Sequence, residues 1–292
     1  MITRRVFSLA TLFGVAVGRC GAAQETPLPE GSGLVTVDVR DQSLDLFTYK
    51  PPGYRGGPLI MVFHGVLRNA DEYRDHARGM GDRHQALIVA PRFPDSDFPL
   101  EKYQLGGLRV NGAVRPRNEW TWQLIAPIAE AIRRRESRPE MPLYLIGHSG
   151  GGQFLVRLAG FVSTGAKRIV AANAGTLLFP SRDHAFPYGF GELPDELASD
   201  EMIRRYLAQP LTLYLGSNDV ERDEYLDVKA AADRQGMTRF ERGRNAFALG
   251  MRLAEERGWE FGWRLVIAEG VEHDHEKMFD HPQCGKALFG PP

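Results

Sequence analysis

The chain has 292 residues, the length of one large α/β domain or two small ones, and enough to bury a substantial core. Hydrophobic residues make up 43% and charged residues 25%, with 36 basic against 37 acidic side chains and a net charge of −1. That balance excludes a disordered chain and a polyanion-binding surface, so no nucleic-acid partner is expected.

The first segment, MITRRVFSLATLFGVAVGRCGAA, has two arginines, then an apolar run from Val6 to Val17, then small residues ending at Ala23. It reads as a signal peptide over residues 1–23. The run is short for a bilayer span and no later stretch approaches the length a transmembrane helix needs, so no membrane span is expected. Thr3-Arg4-Arg5-Val6-Phe7 resembles the twin-arginine export signal, with a general secretory signal as the alternative. Either implies an exported bacterial protein, periplasmic or secreted. Arg19 before Cys20 is a poor fit to a lipoprotein cleavage box. Removal of the leader leaves Cys284 alone, so no internal disulfide can form and stability must come from the core. In HPQCGK, with no strand leading into it, Cys284 reads as structural.

Residues 24–33, QETPLPEGSG, read as a polar linker, and a single catalytic domain is expected over 34–292. Val35–Arg40 and Leu44–Tyr49 alternate apolar and polar residues around Asp41-Gln42-Ser43, the pattern of an antiparallel hairpin with one buried face. The rhythm then changes. Residues 58–65, 86–93, 142–149, 167–175, 211–219 and 263–273 contain continuous apolar runs, as strands buried on both faces do. Between them lie helix candidates over Ala70–Gly81, Glu119–Arg135, Gly151–Thr164 and Phe240–Arg257, the last with Gly258 where a C-cap belongs. Strands alternating with such helices imply a mainly parallel sheet covered on both faces. Two irregular insertions, near 94–118 and 176–209, follow strand C-terminal ends, the edge where open α/β sheets carry their sites.

Gly147-His148-Ser149-Gly150-Gly151 fits G-x-S-x-G, and it stands where the motif needs to stand, between a strand candidate and a helix candidate. In that turn the serine is exposed at the end of the strand as a nucleophile. A serine hydroxyl is weak near neutral pH, so it needs a base and an acid that orients the base, expected in the order Ser, Asp or Glu, His. Asp219 ends LTLYLGSND at a strand's C-terminal edge, with Asp223 and Asp227 as weaker substitutes. After the last strand, WRLVIAEGVEHDHEKMF supplies His273 as the preferred base and His275 as the alternative. The oxyanion donors expected are the backbone N–H of Gly150 and that of Val66, with His64 bracing the loop.

On these residues the chain resembles the α/β-hydrolases. PLIMVFHG, IGHSGG, YLGSND and WRLVIAEGVEH occur in the right order across nearly all of the sequence after the leader. More narrowly it is similar to exported esterases of the polyhydroxybutyrate-depolymerase and feruloyl-esterase-like group, which share an HG turn, the G-x-S-x-G elbow and a late GVxH segment. The resemblance implies the α/β-hydrolase fold, an acyl-enzyme mechanism on a small or polymeric carboxylic ester, and no cofactor. Glu272 departs from the small residue that such proteins often carry before the histidine, and next to His273 it would favour a charged imidazole.

Three other readings share these residues. A peptidase or amidase uses the same triad. A binding protein on an inherited hydrolase fold needs no chemistry. Metal-assisted hydrolysis is suggested by HDHEKMFDH, but its spacing matches no zinc motif, and no metal is expected. The insertions supply Phe93, Phe98, Tyr103, Trp120, Trp122, Phe186 and Tyr188, aromatic surface that lines a pocket or packs the loops onto the sheet. Arg109, Arg115 and Arg117 attract an anionic substrate or form a solvated face.

Overall fold

In the computed structural model, which describes residues 26–290, the apolar runs become strands. The segment read as a signal peptide lies outside the described residues. In chain order the strands are β1 (Gly31–Val39), β2 (Gln42–Lys50), β3 (Leu59–Phe63), β4 (Leu87–Pro91), β5 (Arg109–Val110), β6 (Ala113–Val114), β7 (Leu143–His148), β8 (Arg168–Ala172), β9 (Leu211–Gly216) and β10 (Arg264–Ala268). Eight of them form one sheet in the order β1-β2-β4-β3-β7-β8-β9-β10. The pairs β1/β2 and β2/β4 are antiparallel, and the remaining neighbours are parallel. This is the α/β-hydrolase architecture with an N-terminal antiparallel hairpin. The hairpin is longer than its sequence pattern: β1 begins at Gly31, inside the segment read as linker. The chain reverses at Arg40-Asp41, where Arg40 has φ 56°. Backbone pairing from Gly31↔Lys50 onward does not depend on the side chains that made 24–33 look like a linker.

The helices are α1 (Ala70–His76), α2 (Arg78–His84), α3 (Ile125–Arg135), α4 (Gly150–Phe161), α5 (Asp195–Ala198), α6 (Asp200–Leu207), α7 (Ala230–Asp233), α8 (Arg239–Arg257), α9 (His275–Asp280) and α10 (Gln283–Phe289). They divide between the two faces of the sheet, and alternate strand residues follow them. Leu59, Met61 and Phe63 of β3 pack into the core that holds Ile128 of α3 and Phe154 of α4. Ile60 and Val62 pack into the other, with Tyr73 of α1, Met80 of α2 and Phe279 of α9. Two apolar faces per strand are why these runs are continuous.

Local signals set the helix ends. The side chain of Thr238 accepts from Glu241 N at 3.2 Å to start α8, and Gly258 at φ 63° ends it. The candidate over 70–81 instead breaks at Ala77 into α1 and α2. The candidate over 119–135 opens as two 3-10 turns, Arg117–Glu119 and Thr121–Leu124, before α3 begins. Within the insertions, 94–118 holds the small β5–β6 hairpin and 176–209 holds α5 and α6, the latter capped by Ser199.

Candidate active site

Strand β7 runs into α4 through Ser149, whose backbone has φ 55° and ψ −115°, a conformation that costs a side-chain-bearing residue about 1–3 kcal/mol. Its N–H donates to Ala172 O and its carbonyl accepts from Gln153 N, both at 3.0 Å. Glycines make the turn possible. A Cβ on Gly147 would stand 2.6 Å from Gly151 carbonyl atoms, and one on Gly151 would stand 2.2 Å from Phe63 O. Strand and helix therefore approach closer than any side chain permits, and Ser149 is left at the strand's C-terminal end.

The loops after β9 and β10 are stitched together. Ser217 N donates to Ala268 O and Asn218 N to Val271 O, both at 3.0 Å, and Gly270 N donates to Ser217 Oγ at 2.8 Å. This clasp brings His273 Nδ1 to 2.7 Å from Asp219 Oδ2, with the Asp219 side chain 1% exposed. The other Asp219 oxygen lies 3.4 Å from Arg239, itself buried, and Arg239 also grips Asp223 at 2.7 and 2.8 Å. One guanidinium against two carboxylates leaves this cluster one negative charge, which an imidazolium at His273 would balance.

Ser149 and His273 line one cavity of about 240 Å³, together with Gly65, Val66, Tyr73 and Tyr225. No hydrogen bond joins the Ser149 hydroxyl to His273 among the described residues, a looseness usual before substrate is present. Val66 and Gly150 meet beside the serine: a Cβ on Gly150 would stand 3.3 Å from Val66 N. The loop carrying Val66 is braced by buried His64, whose Nδ1 is 2.9 Å from Gly65 O while Nε2 accepts from Phe93 N at 3.1 Å. Burial pushes His64 down to about 3, so the ring is neutral and donates through Nδ1. Burial also lowers His148, next to Ser149, well below the ordinary histidine range. A larger depression of about 550 Å³, lined by Arg40, Asp97 and Trp120, has no histidine, serine or cysteine in its lining.

His275 takes a different place. It stands 2.9 Å from His76 and stacks on Tyr73 with centroids 4.0 Å apart, and burial is the main cause of its fall to about 4. Asp223 is held by Arg239, and Asp227 accepts from Tyr188 Oη at 2.7 Å. The HDHEKMFDH residues disperse: Asp274 caps α9, Asp280 pairs with Arg83, and His281 accepts from Gln283 N. Glu272 is bonded to Lys277. Burial raises the Cys284 thiol to about 12, which suits a packing residue. All seven insertion aromatics are buried, with Phe98 and Trp120 also bordering the larger depression. Arg109 bonds to the Glu192 backbone, Arg115 to Glu119, and Arg117 lies over Trp120.

Four neighbours of the site had no reading in the sequence: Tyr73, His148, Asn173 and Arg239. Asn173 accepts from Gly216 N at 2.7 Å and donates to Glu272 O at 3.2 Å, tying three strand ends together. A polar residue at the C-terminal end of an apolar strand run was the available signal for Asn173. Arg239 carried none.

No family model matches the chain, and no curated protein sequence does. Solved structures do. A poly(3-hydroxybutyrate) depolymerase from Bordetella parapertussis is 34% identical over 88% of this chain and 89% of its own, with a TM-score of 0.80. Poly(aspartic acid) hydrolase-1 from Sphingomonas sp. KT-1 is 29% identical over 86% and 96%, also with a TM-score of 0.80. An S-formylglutathione hydrolase from Agrobacterium tumefaciens, 16% identical over 88% and 95% with a TM-score of 0.50, shares the fold.

Proposed function

Because the chain belongs to the α/β-hydrolase family of serine ester hydrolases, we propose that it is an exported esterase whose nucleophile is Ser149, with His273 as base and Asp219 as the acid that orients it. Ser149 Oγ attacks the ester carbonyl as His273 Nε2 takes its proton. Asp219 holds the imidazole through Nδ1 and offsets its positive charge. The N–H groups of Val66 and Gly150 stabilise the oxyanion. His273 then returns the proton to the departing alcohol, and water, activated by the same imidazole, releases the acid from the acyl-enzyme.

The observation that carries this reading is the 2.7 Å contact between buried Asp219 and half-buried His273 at the cavity that also holds Ser149. Export is supported by residues 1–23. For substrate, a cavity of about 240 Å³ suits a short acyl group. Exposed Glu72 at the cavity, and Glu221 and Glu224 at an adjoining depression that shares Tyr225 and His273 with it, oppose a polyanion and favour an uncharged ester such as a polyhydroxyalkanoate chain.

The test is turnover of short-chain p-nitrophenyl esters by residues 24–292 beside Ser149→Ala, with EDTA as a second arm. Wild type should turn over, Ser149→Ala should fall by roughly 10³-fold or more, and EDTA should leave the rate in place. Activity surviving in Ser149→Ala, or abolished by EDTA, refutes the assignment.

A further inference from the structure

Apart from the Asp219–His273 pair, a second group of titratable side chains stands at the same cavity. Helix α1 carries Glu72 and His76 one turn apart, on one face. Helix α9 opens on His275, 199 residues beyond His76 in the chain. His76 Nδ1 lies 2.9 Å from His275 Nε2, and Glu72 Oε1 lies 3.8 Å from that same nitrogen. One donor atom from each residue falls within 4.8 Å of the other two.

Each of the three also has a second neighbour besides the other two. Asn69 Nδ2 donates to Glu72 Oε2 at 2.5 Å, which turns Oε1 toward His275. Glu276 lies 3.6 Å from His76 Nε2, opposite the nitrogen that meets His275. The ring of His275 lies flat on Tyr73, with 4° between the planes. A carboxylate behind a ligand histidine is the arrangement that orients imidazoles around a metal. A hydrogen bond between the two facing nitrogens places one N–H between them, and a tautomeric shift of that ring frees both lone pairs for a cation. With metal–nitrogen bonds of about 2.1 Å, donor atoms sit about 3 Å apart at a right angle and about 3.4 Å apart at the tetrahedral angle.

We propose that Glu72, His76 and His275 form a binding site for a divalent transition metal at the cavity wall, with Zn²⁺ the best match to two imidazoles and one carboxylate. The donor set discriminates against Mg²⁺ and Ca²⁺, which require oxygen ligands. Three protein ligands leave a fourth position for water or another small ligand. Binding ties α1 to α9 and fixes His76 in the tautomer with its proton on Nε2, the nitrogen that faces Glu276. The ion stands beside the Asp219–His273 pair, so ester cleavage takes no step through it.

The experiment is calorimetric titration of residues 24–292 with ZnCl₂, and separately with MgCl₂, for wild type, His76→Ala, Glu72→Gln and His273→Ala. Wild type and His273→Ala should each bind one Zn²⁺ per chain with similar affinity, while His76→Ala and Glu72→Gln weaken binding by roughly tenfold or more. MgCl₂ should give no binding. Zn²⁺ should raise the unfolding temperature of wild type and not of His76→Ala. Glu72 is exposed, so Glu72→Gln keeps the test decisive if His76→Ala folds poorly. Stoichiometric zinc binding that survives both ligand substitutions, that is lost in His273→Ala, or that is absent from wild type overturns the proposal. None of these readouts depends on turnover, so failure here is separate from failure of the esterase reading.

Discussion

Arg239 shows how much of the site rests on a residue that never meets substrate in the proposed mechanism. Its side chain is 1% exposed and divides one charge between Asp219 and Asp223. Removing one partner of a buried ion pair costs about 3–5 kcal/mol, and here it leaves Asp219, 1% exposed, without its cation, while Asp223 keeps some solvent. Arg239→Met is therefore expected to lower unfolding free energy by about that much. In the folded fraction it should reduce kcat on p-nitrophenyl esters with KM little changed, and Arg239→Lys should restore part of kcat. A normal kcat in Arg239→Met, measured with folded protein confirmed by circular dichroism, removes Arg239 from a positioning role. Ser149, Asp219 and His273 were legible in the sequence because each follows an apolar run, where a strand's end exposes it. Arg239 was illegible because its partners are 16 and 20 residues away and meet only when loop and helix pack. Tyr73 and His148 come together across 75 residues, and nothing local marks that.

At the scale of elements, the turn from β7 to α4 depends on the absence of side chains. Gly151→Ala puts a carbon 2.2 Å from Phe63 O, a backbone atom that moves only if β3 or α4 moves. Overpacking of this kind costs typically 1–3 kcal/mol, and here it also displaces Ser149. We expect Gly151→Ala to unfold at a lower temperature and to lose ester turnover beyond its loss of folded protein. Gly112→Ala is the control, since no atom lies within 4 Å of the added carbon, though its φ of 76° adds strain. Equal thermal stability in the two variants refutes the steric account. The strands were readable because burial on both faces leaves a continuous apolar signature. The short helices α6, α9 and α10, of eight, six and seven residues, were not, since so few turns give little periodicity to detect. Nor was the break at Ala77 readable, because alanine favours continuation and tertiary packing decides the matter.

For the molecule as a whole, two buried histidines couple folding to acidity. Burial holds His64 at about 3 and His148 well below its ordinary value, whereas in the unfolded chain both titrate near 6.5. Below about pH 6.5 the unfolded chain gains protons that the folded chain refuses, so stability is full above that pH and is lost as pH falls toward the folded values. Each group contributes a slope of at most about 1.4 kcal/mol per pH unit. The urea midpoint should thus be lower at pH 5 than at pH 7, and His64→Asn should flatten the difference. Equal midpoints at the two pH values refute the account. The clasp between the β9 and β10 loops has a mechanical consequence of its own. Asp219 and His273 ride on that stitched block, and Asn173 joins the block to the end of β8, whose Ala172 O accepts from Ser149 N. With the three backbones fixed in one frame, the approach of hydroxyl to imidazole is left to side-chain torsions, so the geometry of the reacting atoms is set by rotation about single bonds and not by movement of loops.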